Sequence, residues 1–337
     1  MNNKILLINL GTPDDANTKS VRRYLKQFLN DARVIDLPFI IRWPLVNLFI
    51  IPFRYKKTAA AYQKIWKETG SPLLSISKNI QHALQKTLGK TYQVELGMRY
   101  GEPSISSALE KLSGSDEVTI LPLFPQYSSA ATGSAIAEVL SYYAHEWNIP
   151  EIHIKQDFYD QPHFIQAYAD VIRENIVNKK VDKIIFSYHG LPERHIIKSD
   201  CKAQCDRVAA CPVVTEANRF CYRAQCYATT RAIVSELGLS EDQFVVSFQS
   251  RLGRTPWIKP YTDLLLPDLV KQGVKNIAVV SPSFVADCLE TLEEIDIRMR
   301  KQWMELGGEA FTFIPCVNDN KVWIDALAKL LLGGTSL

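Results

Sequence analysis

Apolar residues fall into two alternating patterns along this chain. Near-continuous runs rich in β-branched residues, KILLINLG at 4–11, YQVELGMR at 92–99, EVTILPLF at 117–124 and DKIIFSYHG at 182–190, each end in small or polar positions. QFVVSFQS at 243–250, NIAVVSPSF at 276–284 and FTFIPC at 311–316 continue the series. Runs that are apolar on both faces suit strands buried inside parallel sheets. Between them, TGSAIAEVLSYYAHEW at 132–147 and PHFIQAYADVIRENIVNK at 162–179 carry helical patterns. Strand and helix in alternation predict βαβ units, hence an α/β fold of doubly wound parallel sheets.

At 337 residues the chain is too long for one ordinary core. The strands therefore divide into two lobes, 1–148 and 149–316, with WNIPEIHIK at 147–155 as the first crossing and Pro150 punctuating it. The last helix, NKVWIDALAKLLL at 320–332 in the tail 317–337, is expected to pack back onto the N-terminal lobe, because chain ends commonly lie close together.

One apolar stretch breaks the pattern, LPFIIRWPLVNLFIIPF at 37–53. Arg42 and the prolines Pro38, Pro44 and Pro52 leave uncharged runs too short to cross a bilayer as one helix. Two readings stay open: a core helix, or an exposed lip that rests on a membrane or accepts a greasy ligand.

Composition narrows the class. Hydrophobic residues at 47% and charged residues at 22% are the balance of a folded globular protein. A net charge of +3 implies no nucleic-acid surface. The opening MNNKILLINLGTPDD reads as a first strand and not as a signal peptide, which points to the cytoplasm. Five of the seven cysteines, Cys201, Cys205, Cys211, Cys221 and Cys226, crowd into an insertion at 200–226. In that compartment such crowding suggests a zinc or Fe–S site, or redox-labile thiols, before structural disulfides. The spacings fit the paired cysteines of a zinc ribbon only loosely.

Ligands of open parallel sheets bind beyond the carboxyl ends of the strands. The residues there are Asn9–Thr12, Arg99–Tyr100, Pro125–Ser129, Ser187–Gly190, Gln249–Arg251 and Ser281–Phe284. Neither GxGxxG nor GxxxxGK[ST] occurs among them, which argues against the usual nucleotide sites. His189 comes straight off a strand and is followed by Gly190-Leu191-Pro192, a placement suited to a general base or metal ligand. In SPSFVADCLETLEEIDIR at 281–298, Asp287, Glu290, Glu293 and Glu294 crowd the start of a helix. Glu290 and Glu294, four apart, project from one face. They serve either as acids complementing the helix dipole or as a carboxylate path for cations and protons. Tyr127, Ser128, Ser129, Thr132 and Ser134 precede another helix, where hydroxyls and free N–H groups can hold a carboxylate. FQSRLGRTPWIKPYTD at 248–263 mixes Arg251, Arg254 and Lys259 with Trp257 and Tyr261, which suits a flat conjugated acid.

Taken in order, NLGTP at 9–13, ETGSP at 68–72, GMRYGEP at 97–103, LPLFPQYS at 121–128, FSYHGLPER at 186–194, FQSRLGRTPWIKPYTD at 248–263 and ADCLETLEEID at 286–296 resemble the bacterial ferrochelatases nearly end to end. The resemblance implies two Rossmann-like, chelatase-type lobes, each a parallel β-sheet flanked by helices, with the active-site cleft between them. It implies insertion of Fe²⁺ into protoporphyrin IX to form protohaem, with Fe²⁺ as substrate and no required cofactor. His189 and Glu290 fall on the family's catalytic and metal-contacting pair. Leu10, Arg99, Tyr100, Tyr127, Ser128, Thr132 and Trp257 fall where porphyrin is bound, and Asp287 and Glu294 extend the proton and metal path. Some ferrochelatases carry a histidine two residues before the glutamate; here that position is Cys288. Where the family holds a [2Fe–2S] cluster through a C-terminal extension, this chain ends LLLGGTSL without those cysteines.

Porphyrin and iron are the expected partners, with peripheral membrane contact through 37–53 on the inner face, in a monomer or weak dimer. Alternatives left open are coproporphyrin as substrate, cobalt insertion into a reduced tetrapyrrole, and a non-catalytic haem or metal carrier.

Overall fold

The computed structural model describes residues 3–199, 211–251, 253 and 255–332. The chain divides into two compact units, Met1–Phe124 with Ser128–Asp157 and Asp319–Leu337, and Pro125–Tyr127 with Phe158–Asn318. In the first, β1 (Asn3–Gly11), β2 (Tyr92–Tyr100), β3 (Glu117–Pro122) and β4 (Glu151–Ile154) form a parallel sheet in the order β2-β1-β3-β4. In the second, β5 (Lys183–His189), β6 (Phe244–Gln249), β7 (Asn276–Val280) and β8 (Ala310–Phe313) are parallel in the order β6-β5-β7-β8. These are the α/β, chelatase-type sheets that the apolar runs predict.

The segment read as a crossing turns out to hold β4, paired with β3 from Glu117↔Glu151 onward. That pairing keeps it in the first unit, so the boundary falls after Asp157 and not at 148. Both faces of the central strands are covered. Leu6 and Ile8 pack with Ile105, Leu109, Val118, Ile120 and Val139. Ile185 packs with Leu266, Val279, Ile295, Trp303 and Phe311. The helix Lys321–Leu331 packs on Pro72–Leu88, where Asn79 Nδ2 donates to Asp319 Oδ2 at 3.0 Å.

The apolar stretch at 37–53 is helical but not core. It runs α-wound over Phe39–Pro44, π-wound over Leu45–Ile50 and α-wound again from Ile51 to Ile65. Ile40 is 83% exposed and Phe53 81%, with Phe39, Leu48 and Phe49 all above half. Of the two readings, this exposure contradicts the core helix. No helix among the described residues is long and apolar enough to cross a membrane.

Candidate active site

His189 is the last residue of β5, paired with Gln249 at the end of β6. The turn that follows is pinned by backbone bonds: Gly190 N donates to Gln249 O at 2.8 Å and Ile258 N to Leu191 O at 2.9 Å. Gly190 is required there, because a Cβ would stand 2.6 Å from the Gln249 carbonyl oxygen and 3.2 Å from the Trp257 ring. Trp257 therefore walls the turn beside His189. The His189 backbone is held at both ends, its N–H donating to Ser283 Oγ at 3.1 Å and its carbonyl accepting from Tyr222 OH at 2.8 Å.

The ring is held as well. Nδ1 lies 2.7 Å from the Gly190 carbonyl oxygen, which can only accept, so Nδ1 carries the proton. In the neutral imidazole this leaves Nε2 with a lone pair, the form a base or metal ligand needs.

The acidic segment differs from the expected α-helix. Glu290–Met299 is π-wound, a winding whose bonds run from N–H to the carbonyl five residues back, as from Arg300 N to Ile295 O at its end. Glu290 lies within electrostatic reach of both His189 and Glu294. Burial pushes its carboxyl above the ordinary 4.5, the Glu294 charge adds to this, and His189 opposes it. The Cys288 thiol hydrogen-bonds to the same carboxyl, and burial pushes that thiol well above its ordinary range. Glu294 Oε2 accepts from Ser250 Oγ and, at 3.3 Å, from Gln249 Nε2, while Glu294 Oε1 lies 3.3 Å from Arg298 Nη2. Gln249 Nε2 also donates to the Glu290 carbonyl at 2.9 Å, and Gln249 Oε1 accepts from Ser187 Oγ at 2.7 Å. Gln249 thus ties the histidine strand to the acidic segment. It stood among the strand ends, but an amide at such a place carries no signal of its own.

Asp287, expected on the proton and metal path, is also held by the protein. It precedes the π-wound segment and is buried, accepting from Thr291 Oγ1 at 3.0 Å, Cys316 N at 3.2 Å and Asn318 Nδ2 at 2.7 Å. With its oxygens so occupied, it anchors the chain around 316–318 to the start of the acidic segment.

In the first unit, Arg99 and Tyr100 end β2 beside an acid that sequence reading overlooked. Asp31 accepts from Arg99 Nη2 at 2.8 Å, Tyr100 OH at 2.9 Å, Arg33 N at 2.7 Å and Ser134 Oγ. Arg99 Nε donates to Ser134 Oγ at 2.7 Å, and Nη1 stands 3.2 Å from Glu138 Oε2. Although burial raises the Asp31 carboxyl, its hydrogen bonds from Ser134, Arg33 and Tyr100 and the Arg99 charge outweigh that and hold it below 3.8. The hydroxyl cluster is likewise engaged by protein. Ser128 Oγ accepts from Ala131 N at 3.2 Å and Ser129 Oγ from Arg33 Nη1 at 2.9 Å. Of the cluster, Ser134 is the one whose hydroxyl meets a carboxylate, the chain's own Asp31. Thr132 is fully buried, and its hydroxyl has no hydrogen-bond partner among the described residues. Leu10 is the penultimate residue of β1, before Gly11.

Tyr127 belongs to the second unit, its N–H donating to Gln225 Oε1 at 2.6 Å and its ring 5.3 Å from Phe220, edge to face. Cys211, Cys221 and Cys226 are buried, and burial pushes the Cys226 thiol well above its ordinary range. No three His, Cys, Asp or Glu side chains are grouped for a metal among the described residues, and Cys201 and Cys205 lie outside them. Arg254 also lies outside them.

Two like sheets and a histidine–carboxylate pair beyond the strand ends define a chelatase-type protein. The fold is shared with the cobalt-bound sirohydrochlorin chelatase SirB of Bacillus subtilis subspecies spizizenii, at TM-score 0.53 and 9% identity over 97% of this chain and 92% of that one. The chain is 53% identical to a ferrochelatase of Legionella pneumophila (strain Lens) over 331 residues, 98% of this chain and 99% of that protein. A ferrochelatase of Coxiella burnetii (strain CbuK_Q154) is 49% identical over 334 residues, 98% of this chain and 93% of that protein. The ferrochelatase family model matches residues 2–333. The chain belongs to the ferrochelatase family.

Proposed function

We infer that this chain is a ferrochelatase in action as well as in family, inserting Fe²⁺ into protoporphyrin IX as the last step of haem formation. The observation that carries the reading is the His189 ring, whose Nδ1 is committed to the Gly190 carbonyl, with the half-buried Glu290 in electrostatic reach. Free porphyrin carries two N–H protons where the metal must enter. His189 Nε2 takes a pyrrole proton, and Glu290, backed by Glu294, accepts protons or delivers the cation. Imidazole and carboxylate bind Fe²⁺ well enough to pass it on. Puckering of the ring, favoured by a site shaped to the distorted form, exposes the nitrogen lone pairs and lowers the barrier by differential binding. In this reading Leu10, Arg99, Tyr100, Tyr127, Ser128, Thr132 and Trp257 shape or contact the porphyrin. Arg99 does so from a guanidinium already oriented by Asp31 and Ser134.

Absorbance at the porphyrin bands tests it. Wild-type protein should convert protoporphyrin on addition of Fe²⁺ or Zn²⁺, and His189→Ala should bind porphyrin but fail to metallate it. Loss of porphyrin binding together with turnover in that variant would sink the assigned role.

The same reading places the protein in the cytoplasm as a monomer or weak dimer, with the lip at 37–53 touching the membrane surface. Co-sedimentation with anionic vesicles checks this, and Ile40→Ser with Phe53→Ser should abolish it. A zinc or Fe–S centre in the cysteine segment is not needed. Iron with acid-labile sulfide, or zinc, in anaerobically purified protein would overturn that.

A further inference from the structure

In an α-helix residues five apart point about 140° away from one another and their side chains cannot meet. Along Glu290–Met299 the π winding stacks them. Arg298 uses that stacking: its Nη2 donates to Glu293 Oε2 at 2.7 Å, five residues back, and stands farther, 3.3 Å, from Glu294 Oε1. The Glu293 side chain is only 6% exposed and that of Arg298 60%, so the cation is supplied from the surface to a buried acid.

An α-wound turn would pair Arg298 with Glu294, four residues back. Arg298 would then lose Glu293 and keep only Glu294, whose other oxygen is held by Ser250 and Gln249. We propose that Arg298 and Glu293 form a positioning pair, an ion pair that only π winding permits. It holds the winding that sets Glu290 and Glu294 toward the His189 strand. Neither residue touches substrate; both act through the two glutamates. The proposal rests on the reading of Glu290 and Glu294 as the metal and proton path.

The test is Zn²⁺ insertion into protoporphyrin by wild type, Arg298→Gln, Arg298→Lys and Glu293→Gln. Because Arg298 is largely exposed, its variants should fold, which circular dichroism checks. Arg298→Gln and Glu293→Gln should raise the metal KM about fivefold or more and leave the porphyrin KM within about twofold. Arg298→Lys, which keeps the charge, should restore the metal KM to within about twofold of wild type. Unchanged constants in Arg298→Gln overturn the pairing role. So does an even loss in both KM values and kcat that lysine fails to rescue, which marks general packing. A wild type that inserts no metal sinks the functional reading instead. The pair is then judged by Co²⁺ titration followed by d–d absorbance, where equal affinity in wild type and Arg298→Gln overturns it.

Discussion

Replacing Asp31 by alanine should cost more than an ordinary surface change, because its carboxylate is where four donors of the first unit converge. The side chain is 8% exposed and that of its partner Arg99 19%, so the pair is screened little by water. Removing one partner of a buried ion pair typically costs about 3–5 kcal/mol, since the other charge is left uncompensated. Arg99 keeps Glu138 at 3.2 Å and the Ser134 hydroxyl, which places the expectation at the low end, about 3 kcal/mol. At roughly 2–4 °C per kcal/mol for a domain of this size, the melting temperature should fall by about 6–12 °C. The pH dependence follows from the carboxyl being held below 3.8 in the folded chain. Its contribution is fully present above the unfolded value and is lost as pH falls through the folded one. The gap between wild type and Asp31→Ala should therefore stay constant from neutral pH down to about 5 and close only below the ordinary carboxylate range. Melting followed by circular dichroism over that series is the assay. A shift under about 2 °C at neutral pH, or a gap that widens in acid, would refute the convergence argument.

Two further changes test how the second unit is held. Gly190→Ala drives a Cβ to 2.6 Å from the Gln249 carbonyl, so the turn after His189 must move. Stability should drop by about 1–3 kcal/mol and turnover by more than tenfold, and an alanine variant with wild-type kcat contradicts this. Asp287→Ala strips the acceptor from Thr291, Cys316 N and Asn318 and should destabilise by about 3 kcal/mol. The metal KM of the folded protein should be unchanged; a selective rise would return Asp287 to the metal path.

Most of the sheet was legible because β1, β5 and β7 are buried on both faces and so read as unbroken apolar runs. The strand β4 was not, since EIHI is short, lies at a sheet edge and alternates exposed with half-buried residues. The π winding of Glu290–Met299 was not legible either. Over ten residues its apolar positions fit an α-helix about as well, and the deciding pair, Glu293 with Arg298, looks unrelated at α spacing. Within the site, His189 and Glu290 were visible from strand-end position and from the run of matching motifs. Asp31 was invisible: an aspartate just after a helix is ordinary turn chemistry, and its partners lie far off in sequence at Arg99, Tyr100 and Ser134.

The two sheet orders, β2-β1-β3-β4 and β6-β5-β7-β8, are one order written twice. The likeness reaches into detail. Gly11 closes β1 hard against the Tyr100 carbonyl as Gly190 follows β5 against that of Gln249. A π-wound stretch comes after the third strand in each, Ser129–Gly133 and Glu290–Met299. Each half is thus a variation on one structural plan. The halves differ at the matching place: where one carries His189 before its glycine, the other carries Leu10. On the proposed reading, proton and metal chemistry belongs to the second half, which leaves the first to vary for the organic ring. Selection for a new tetrapyrrole should accordingly fix its changes in the first half, and selection for a new metal in the second.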